Sequence, residues 1–175
     1  MTFQEIKSPY KNVNEALRAV VEQYPNNIAI AFYYQGEKLL TYSQLFEAII
    51  KFANGLKTIG IKKGDKVGIM LSNTLEFVIS FYACCQIGAV GCSIITMLGV
   101  DEVANISQTA ELNALIIGSD KKRLVKKCQS VTPSLKTIIT VGDKEMDLEG
   151  AIKFWEVVEE RGSLAPINEN LGLDD

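Results

Sequence analysis

The apolar positions of the first 25 residues predict an amphipathic helix. They recur every three or four residues and so share one helical face; they are Val13, Ala16, Leu17, Val20, Val21 and Tyr24. Asn12 is placed to cap this helix, with Glu15 at the third helical position, and Pro25 is expected to stop it.

Residues 28–40 form a β-rich run that predicts a short hairpin with its turn at 35–37. The clearest helix start follows directly, because Thr41 and Gln44 have the spacing of a capping box. This second helix runs to about residue 56, and Gly60 suits the left-handed position just after its end.

From residue 41 onward, helices alternate with short apolar strands. The predicted strands are 66–71, 89–95, 113–117 and 136–141. A helix follows each of these strands. The first is capped by Asn73 with Glu76 and ended by Gly88, and the second covers residues 100–109. The third is capped by Ser119 or Asp120 and reaches Val131, and the fourth, which Gly162 closes, is marked by Ala151, Ile152, Trp155 and Val158. Strands that are apolar on both faces are typical of buried parallel sheets. The sequence therefore predicts an α/β fold, a three-layer αβα arrangement with a mostly parallel sheet and helices on both faces, preceded by the N-terminal helix and hairpin.

Length and periodicity together define one folded unit. The 175 residues suit a single domain, and 47% of them are hydrophobic, which is enough for a sizeable core. Residues 163–175 have no periodicity and are predicted to be a linker, which leaves residues 1–162 as the folded unit.

Charge and histidine content exclude several classes of function. Eighteen basic and 21 acidic residues give a net charge of −3, which argues against a nucleic-acid partner. Histidine is absent, so Ser-His-Asp and Cys-His catalysis and histidine-ligated metal sites are excluded within residues 1–175.

The four cysteines, Cys84, Cys85, Cys92 and Cys128, form no C-x-x-C pair. We interpret them as reduced, buried thiols rather than as disulfide or metal ligands. The first residues show no charged segment followed by an apolar one, as a signal peptide would. Together these features predict a cytoplasmic location.

One stretch of the sequence has the length and lack of charge of a membrane-spanning helix. Residues from Phe77 to Val100 carry no charge, and as one helix they would be long enough to cross a bilayer. Gly88, Gly91 and Gly99 interrupt the stretch, however, and a buried helix followed by a buried strand explains the same residues. We therefore expect no membrane span.

Motifs for phosphate binding or covalent catalysis are missing from residues 1–175. No two glycines have the G-x-G spacing, no Walker loop occurs, and Ser93 lacks the flanking glycine and histidine partner of a hydrolase nucleophile. A basic run at 121–127 is most simply the solvent face of a helix, with anion binding as the alternative. No catalytic, cofactor-binding or metal-ligating residue is predicted.

Four sequence segments in order resemble the N-terminal region of the AMP-forming acyl-CoA synthetase family. They are Leu40-Thr41-Tyr42-Ser43-Gln44-Leu45, the stretch 53–69 with Gly60 and Gly64-Asp65, Ser72-Asn73-Thr74-Leu75-Glu76-Phe77, and Gln86-Ile87-Gly88-Ala89-Val90. The sequence departs from the family after Val90, where Gly91-Cys92-Ser93 replaces a proline-containing segment. The family's Ser/Thr/Gly-rich phosphate loop, which normally follows a segment like 171–175, is not within residues 1–175.

The resemblance implies the N-terminal part of a fatty-acid–CoA ligase that uses ATP, Mg²⁺ and CoA. In that family a carboxylate attacks ATP to form an acyl-adenylate, which CoA then converts to a thioester. Residues 1–162 would be an N-terminal α/β subdomain and 163–175 a linker to the remainder, with the ATP, CoA and acyl sites elsewhere. We expect the fragment alone to be inactive, to bind no cofactor and to self-associate through its truncated face.

Two other functions remain open at this stage. A stand-alone α/β binding or interaction module would carry out no chemistry, and the reading frame after residue 175 distinguishes it from an enzyme. The other is a membrane protein anchored by residues 77–100. Recovery of the protein in the soluble fraction without detergent would exclude this hypothesis.

Overall fold

A computed structural model describes residues 8–32, 38–142, 148–167 and 171. The helices are α1 (Val13–Gln23), α2 (Tyr42–Thr58), α3 (Leu75–Ile87), α4 (Val100–Ala110), α5 (Lys122–Val131) and α6 (Phe154–Glu159). The strands are β1 (Ile28–Phe32), β2 (Lys38–Thr41), β3 (Lys66–Met70), β4 (Val90–Ser93), β5 (Ala114–Gly118), β6 (Thr137–Val141) and β7 (Ala151–Lys153).

The sheet that organises the fold has the order β4-β3-β5-β6-β7. Each neighbouring pair in it is parallel, while β1 and β2 form a separate antiparallel pair. This confirms the predicted α/β class and adds the strand order, which periodicity alone does not determine.

Helices cover the sheet on both faces and divide the core into two clusters. The first cluster joins α2, α3 and α6 to one face through side chains such as Phe52, Ile79 and Ile116. The second joins α4 and α5 to the other face through Val103, Val125 and others. Alternate residues of each central strand therefore point into different clusters, as the period of a strand requires.

Four predicted helix boundaries are confirmed. The Asn12 side chain accepts from the Glu15 amide at the start of α1. Thr41 Oγ1 accepts from the Gln44 amide at 3.3 Å, and Gln44 Oε1 accepts from the Thr41 amide at 2.9 Å, which completes the capping box. Gly60 and Gly88 have φ angles of 96° and 67°, the left-handed conformation that lets a helix end without a Cβ clash.

The predicted cap of α3 is wrong by one residue. Thr74, not Asn73, is the N-cap, and its Oγ1 accepts from the Phe77 amide at 3.4 Å. Glu76 does not reach back to the cap as predicted, because its Oε1 accepts a hydrogen bond from Trp155 Nε1 at 3.2 Å.

The predicted cap of α5 is also wrong. Lys121 occupies the N-cap position without a side-chain hydrogen bond, instead of Ser119 or Asp120. The Ser119 amide donates to the Val141 carbonyl, which continues the β5–β6 pairing, and the Lys121 amide donates to Gly118 in a turn. The helix can begin only after that turn.

Ala151 and Ile152 lie in a fifth parallel strand rather than in the last helix. They pair with Ile138 and Ile139 of β6, and the helix begins only at Phe154. Three residues of strand are too few to show a period of two, so the apolar spacing imitates a longer helix. Gly162 lies beyond the helix, and a Cβ there would overlap the carbonyl oxygens of Val158 and Lys51.

The segment after α6 packs across α2. Asn54 Nδ2 donates to the carbonyl oxygens of Ser163 and Ala165 at 2.8 and 3.0 Å, and Ile167 is buried. The division into a unit at 1–162 and a linker at 163–175 stays a prediction. The predicted turn at 35–37 and residues 172–175 lie outside the described residues.

The charge-free stretch from residue 77 to 100 is divided between α3, β4 and the loop before α4. In the part of the chain that the structure describes, no helix combines the length and apolarity needed to span a membrane. The predicted helix followed by a parallel strand is confirmed, but the strand is not buried as predicted. Val90 and Ser93 are exposed, because β4 pairs only with β3 among the described strands and so lies at the edge of the sheet.

Candidate functional site

Among the described strands of the sheet, a topological switch point lies between β3 and β5. The chain leaves β3 for α3 in one layer, whereas it leaves the adjacent β5 for α5 in the other layer. In open parallel sheets the crevice beyond the carboxyl ends of two such strands is where ligands usually bind. We therefore take this crevice as the candidate site.

A cavity of about 210 Å³ lies in this crevice. The loop after β4 forms one wall and the start of α5 forms the other. The lining residues are Met70, Thr96, Leu98, Gly99, Val100, Asp120, Lys121, Arg123 and Leu124. The cavity is smaller than typical small-molecule pockets of about 300–1,000 Å³, so by itself it suits one end of a ligand.

Two helices begin at the crevice with different capping. At α4 the Glu102 carboxylate accepts from the Gly99 amide at 2.6 Å, so the positive helix end already has an anion. At α5 no side chain caps the first turn. The Lys121 ammonium (Nζ) lies 3.2 Å from Asp120 Oδ2. Arg123, which also lines the cavity, is exposed. Because the Asp120 carboxylate already pairs with Lys121, Arg123 and the uncapped amides of α5 are the groups on this side that could contact an anion.

The described residues provide no metal site at the crevice. They contain no cluster of three or more potential metal ligands from His, Cys, Asp and Glu, and the full sequence has no histidine. The described lining of the crevice offers apolar contacts together with the charged groups of Asp120, Lys121 and Arg123.

All four cysteines are free thiols, as predicted. Cys84 and Cys128 are buried, whereas Cys85 and Cys92 are only half-buried, which corrects the prediction for those two. Burial raises the pKa of each thiol, most strongly at Cys84, where the nearby Cys85 and Cys92 raise it further. A raised pKa keeps a thiol protonated and weakly nucleophilic at neutral pH, so none of these cysteines suits covalent catalysis.

Comparison with known proteins identifies the family. The sequence pattern of a family described as AMP-binding enzyme matches residues 17–171. The chain belongs to the AMP-binding enzyme family. It is 31% identical over 131 residues to an acetyl-coenzyme A synthetase from Desulfatibacillum aliphaticivorans, covering 75% of this chain and 19% of that protein. It is 32% identical over 140 residues to long chain acyl-CoA synthetase 5 from Arabidopsis thaliana, covering 73% and 20%.

Solved structures of two CoA ligases share the fold of this chain. A long-chain-fatty-acid-CoA ligase from Archaeoglobus fulgidus superposes with a TM-score of 0.83 at 21% identity, covering 98% of this chain and 34% of that one. An anthranilate CoA ligase in complex with anthranoyl-AMP superposes with a TM-score of 0.79 at 23% identity, covering 89% and 29%. At these identities the likeness concerns the fold alone. This chain spans about a fifth of the length of the curated relatives described above.

The four segments that resemble AMP-binding enzymes lie where helices and strands begin, end or connect. They form the capped start of α2, the turn leading into β3, the start of α3, and the junction from α3 to β4. Their described contacts are caps, turns and strand pairs, such as the Gly64 amide donating to the Gly88 carbonyl at 2.8 Å. The segments therefore carry the fold of an AMP-binding enzyme, while the crevice lies apart from most of them.

Lys121 and Arg123 are the crevice residues that sequence reasoning assigned to a solvent-exposed helix face. Their position just after a strand of the sheet was the available signal, because the carboxyl ends of parallel strands meet at one edge. Finding the switch point also required the strand order, which the sequence pattern did not provide.

Proposed function

We propose that this chain is the N-terminal part of an ATP-dependent, AMP-forming fatty-acid–CoA ligase. In the reaction, a carboxylate oxygen of the fatty acid attacks the α-phosphate of ATP, which gives an acyl-adenylate and releases pyrophosphate. The CoA thiol then attacks the acyl carbon and displaces AMP, leaving a thioester. The observation that carries the proposal is the family match over residues 17–171, which covers nearly the whole chain.

The role of this chain in that reaction is structural. Charge on the transferred phosphate must be stabilised by amides, hydroxyls, a cation and Mg²⁺. Residues 1–175 contain none of the glycine-rich loops that supply such groups. We propose that residues 1–162 form a subdomain supporting the ATP, CoA and acyl sites, that 163–175 link it to the remainder, and that the protein works in the cytoplasm.

Fatty acid is the proposed substrate class rather than acetate. Relatives at 31% and 32% identity are named for acetyl-coenzyme A and for long chain acyl-CoA. A protein of Mycolicibacterium smegmatis named medium/long-chain-fatty-acid–CoA/3-oxocholest-4-en-26-oate–CoA ligase is 26% identical over 151 residues, covering 85% of this chain and 27% of that protein. The longest of these three matches supports the fatty-acid assignment.

Exchange of pyrophosphate into ATP tests the proposal. We expect no exchange from residues 1–175 with any carboxylate, and exchange that depends on fatty acid from a longer polypeptide carrying the phosphate loop. Acetate, a carboxylate without a long acyl chain, serves as the comparison substrate. Exchange by residues 1–175 alone would contradict the structural role, and exchange with acetate in preference to fatty acids would contradict the substrate class.

A second candidate function is a non-catalytic contact with a phosphate group at the crevice, favoured by the uncapped start of α5 beside Arg123. Titration of residues 1–175 with inorganic pyrophosphate tests it. Weak binding that is lost in Arg123→Ala and retained in Lys126→Ala would support the contact, because Lys126 lies on α5 but does not line the crevice. No difference between the two variants would dismiss it.

A further inference from the structure

A cavity of about 440 Å³ lies between α1, the first half of α2 and the segment at 164–167. Its volume is within the range of about 300–1,000 Å³ that small-molecule pockets occupy. Most of the lining is apolar, and the apolar walls include Val21, Phe46, Ile50, Leu164, Pro166 and Ile167. An apolar group of a ligand would remove these side chains from water, which favours binding.

The docking of α1 leaves this space open. Asn14 is the buried residue of α1, and it joins α3 through Cys85 and Gln86. Leu17 packs against the buried core, but Val21, one turn further along, is only half-buried. At this end of α1, the apolar faces of α1 and α2 are therefore not fully packed against each other.

Hydrogen bonds fix the walls of the cavity without a ligand. The Ser43 amide at the start of α2 donates to the Pro25 carbonyl, just after α1, at 3.1 Å. Asn54 Nδ2 donates to the carbonyl oxygens of Ser163 and Ala165, which holds the third wall across α2. A ligand that enters a cavity with ordered walls loses less of its binding free energy to the ordering of the protein.

The charged side chains that line the cavity are Arg18, Glu22 and Glu47. Glu47 is already neutralised, because its Oε1 lies 2.7 Å from Lys51 Nζ. Arg18 and Glu22 make no hydrogen bond or ion pair with any residue that the structure describes. They are four residues apart on α1 and so lie about one turn from each other on the same face. Among the described residues, the rim therefore offers one cation and one anion without a partner.

We propose that this cavity binds a free α-amino acid with a large apolar side chain. Its α-carboxylate contacts the Arg18 guanidinium, whose planar set of donors suits a carboxylate, and its α-ammonium contacts the Glu22 carboxylate. The side chain fills the apolar part of the cavity beside Phe46, where an aromatic ring gains from ring–ring contact. A ligand with a single charge leaves Arg18 or Glu22 without a partner, whereas a zwitterion satisfies both. This binding goes beyond the proposed ligase role and involves no covalent step.

Calorimetric titration of residues 1–175 with three probes tests the proposal. L-phenylalanine carries both charges, phenethylamine lacks the carboxylate, and 3-phenylpropionate lacks the ammonium group. We expect each singly charged probe to bind at least three times more weakly than L-phenylalanine, a modest factor because partly exposed ion pairs are individually weak. Equal affinities for the three probes would show that only the ring is recognised and would overturn the proposal. The absence of saturable binding of L-phenylalanine would also overturn it.

Variants of the two rim charges separate their roles. Arg18→Gln should weaken the binding of L-phenylalanine at least threefold and leave phenethylamine unchanged, because that probe has no carboxylate. Glu22→Gln should weaken the binding of L-phenylalanine to a similar extent and should not weaken that of 3-phenylpropionate. Lys126→Gln, an exposed change on α5 away from the cavity, is the matched control. An unchanged affinity for L-phenylalanine in either rim variant would contradict the assignment.

Filling the cavity gives a test that does not depend on charge. Ala165 lines the cavity and is exposed, so Ala165→Trp should occupy the space and abolish binding while the urea midpoint stays close to that of the unsubstituted protein. Glu159→Trp, exposed at the end of α6, is the control and should bind normally. Binding retained by folded Ala165→Trp would place the amino acid elsewhere and overturn the proposal. All titrations omit ATP and CoA, so a negative result here leaves the ligase assignment intact.

Discussion

Asn14 and Gln86 join α1 to α3 through their side-chain amides, with Gln86 Nε2 donating to Asn14 Oδ1 at 3.0 Å. Asn14 Nδ2 donates in turn to the Cys85 carbonyl at 2.7 Å. Asn14 is 6% exposed, whereas Val13 and Tyr24, which were predicted on the buried face, are 42% and 45% exposed. The first helix therefore docks partly through polar groups, which its apolar spacing did not predict.

Removing Asn14 should destabilise the protein more than its size suggests. Asn14→Ala leaves Nε2 of Gln86 and the Cys85 carbonyl without this partner, and Gln86 Oε1 already lacks one among the described groups. We expect a loss of about 1–3 kcal/mol in the free energy of unfolding, measured by urea denaturation. Gln23→Ala, an exposed change on the same helix, should be near neutral. Additive effects of Asn14→Ala and Gln86→Ala in a double-mutant cycle would show that the pair does not interact.

Gly55→Ala should destabilise the protein although it places a better helix former inside α2. Replacing glycine by alanine in a helix normally gains about 0.5–1 kcal/mol. Here the new Cβ would overlap the Val157 carbonyl oxygen and lie 2.7 Å from Val157 Cγ1 on α6. We expect a lower urea midpoint for Gly55→Ala and a much smaller change for Gly91→Ala, whose Cβ would meet its nearest neighbours at 3.6 Å. A raised midpoint in Gly55→Ala would mean that α6 does not pack here.

Phe154 should be among the most sensitive core positions. Its ring stacks on Phe52 with centroids 4.2 Å apart, and both side chains are almost fully buried. Phe154→Ala should cost about 3–5 kcal/mol by leaving a cavity. Trp155→Phe retains a ring and loses one exposed hydrogen bond, so it should cost about 1 kcal/mol or less. Similar costs for the two variants, measured by thermal and urea unfolding, would contradict the stacked core.

Stability should fall as the pH rises above about 9.0, where the thiols of the unfolded chain ionise. Burial raises the pKa of Cys84 in the folded state, so the folded thiol keeps a proton that the unfolded one loses. This contribution is complete below that pH and is lost above it. We expect Cys84→Ala to show a shallower loss of stability between pH 9 and 10.5 than the unsubstituted protein. Parallel pH profiles would indicate that Cys84 is exposed.

Residues 1–175 should self-associate through the edge strand β4 and the loop that follows it. Ile95 and Met97 are exposed beside that edge, and contiguous apolar patches of this kind favour association. Ile95→Lys combined with Met97→Lys should lower the apparent mass in light scattering at high concentration. Leu164→Lys, at a side chain that is 59% exposed elsewhere, is the matched control. A monomer over a wide concentration range would contradict this prediction.

The sequence predicted most of the features whose signals are local, although it placed the α3 cap at Asn73 instead of Thr74. The capping box at Thr41 and the left-handed glycine at 88 depend on a few adjacent residues, and both are confirmed. The β7 strand and the α5 cap depend on pairing with β6, a contact between residues distant in sequence, and both predictions failed there.

The crevice was missed for a related reason. Lys121 and Arg123 have the spacing of an exposed helix face, and nothing near them in the sequence indicates the order of the strands. Their position becomes informative only when β3 and β5 are known to be neighbours. The family resemblance predicted the scaffold well because its motifs are themselves caps and turns.

The separation of the core by the sheet has a consequence for how this protein can change over time. Ile116 packs with the α2 and α3 layer, whereas its neighbours Leu115 and Ile117 pack with α4 and α5. Mutations on opposite sides share few partners and should combine additively. Each layer can thus drift in sequence without requiring compensation from the other, which allows homologues to diverge widely while keeping the same architecture.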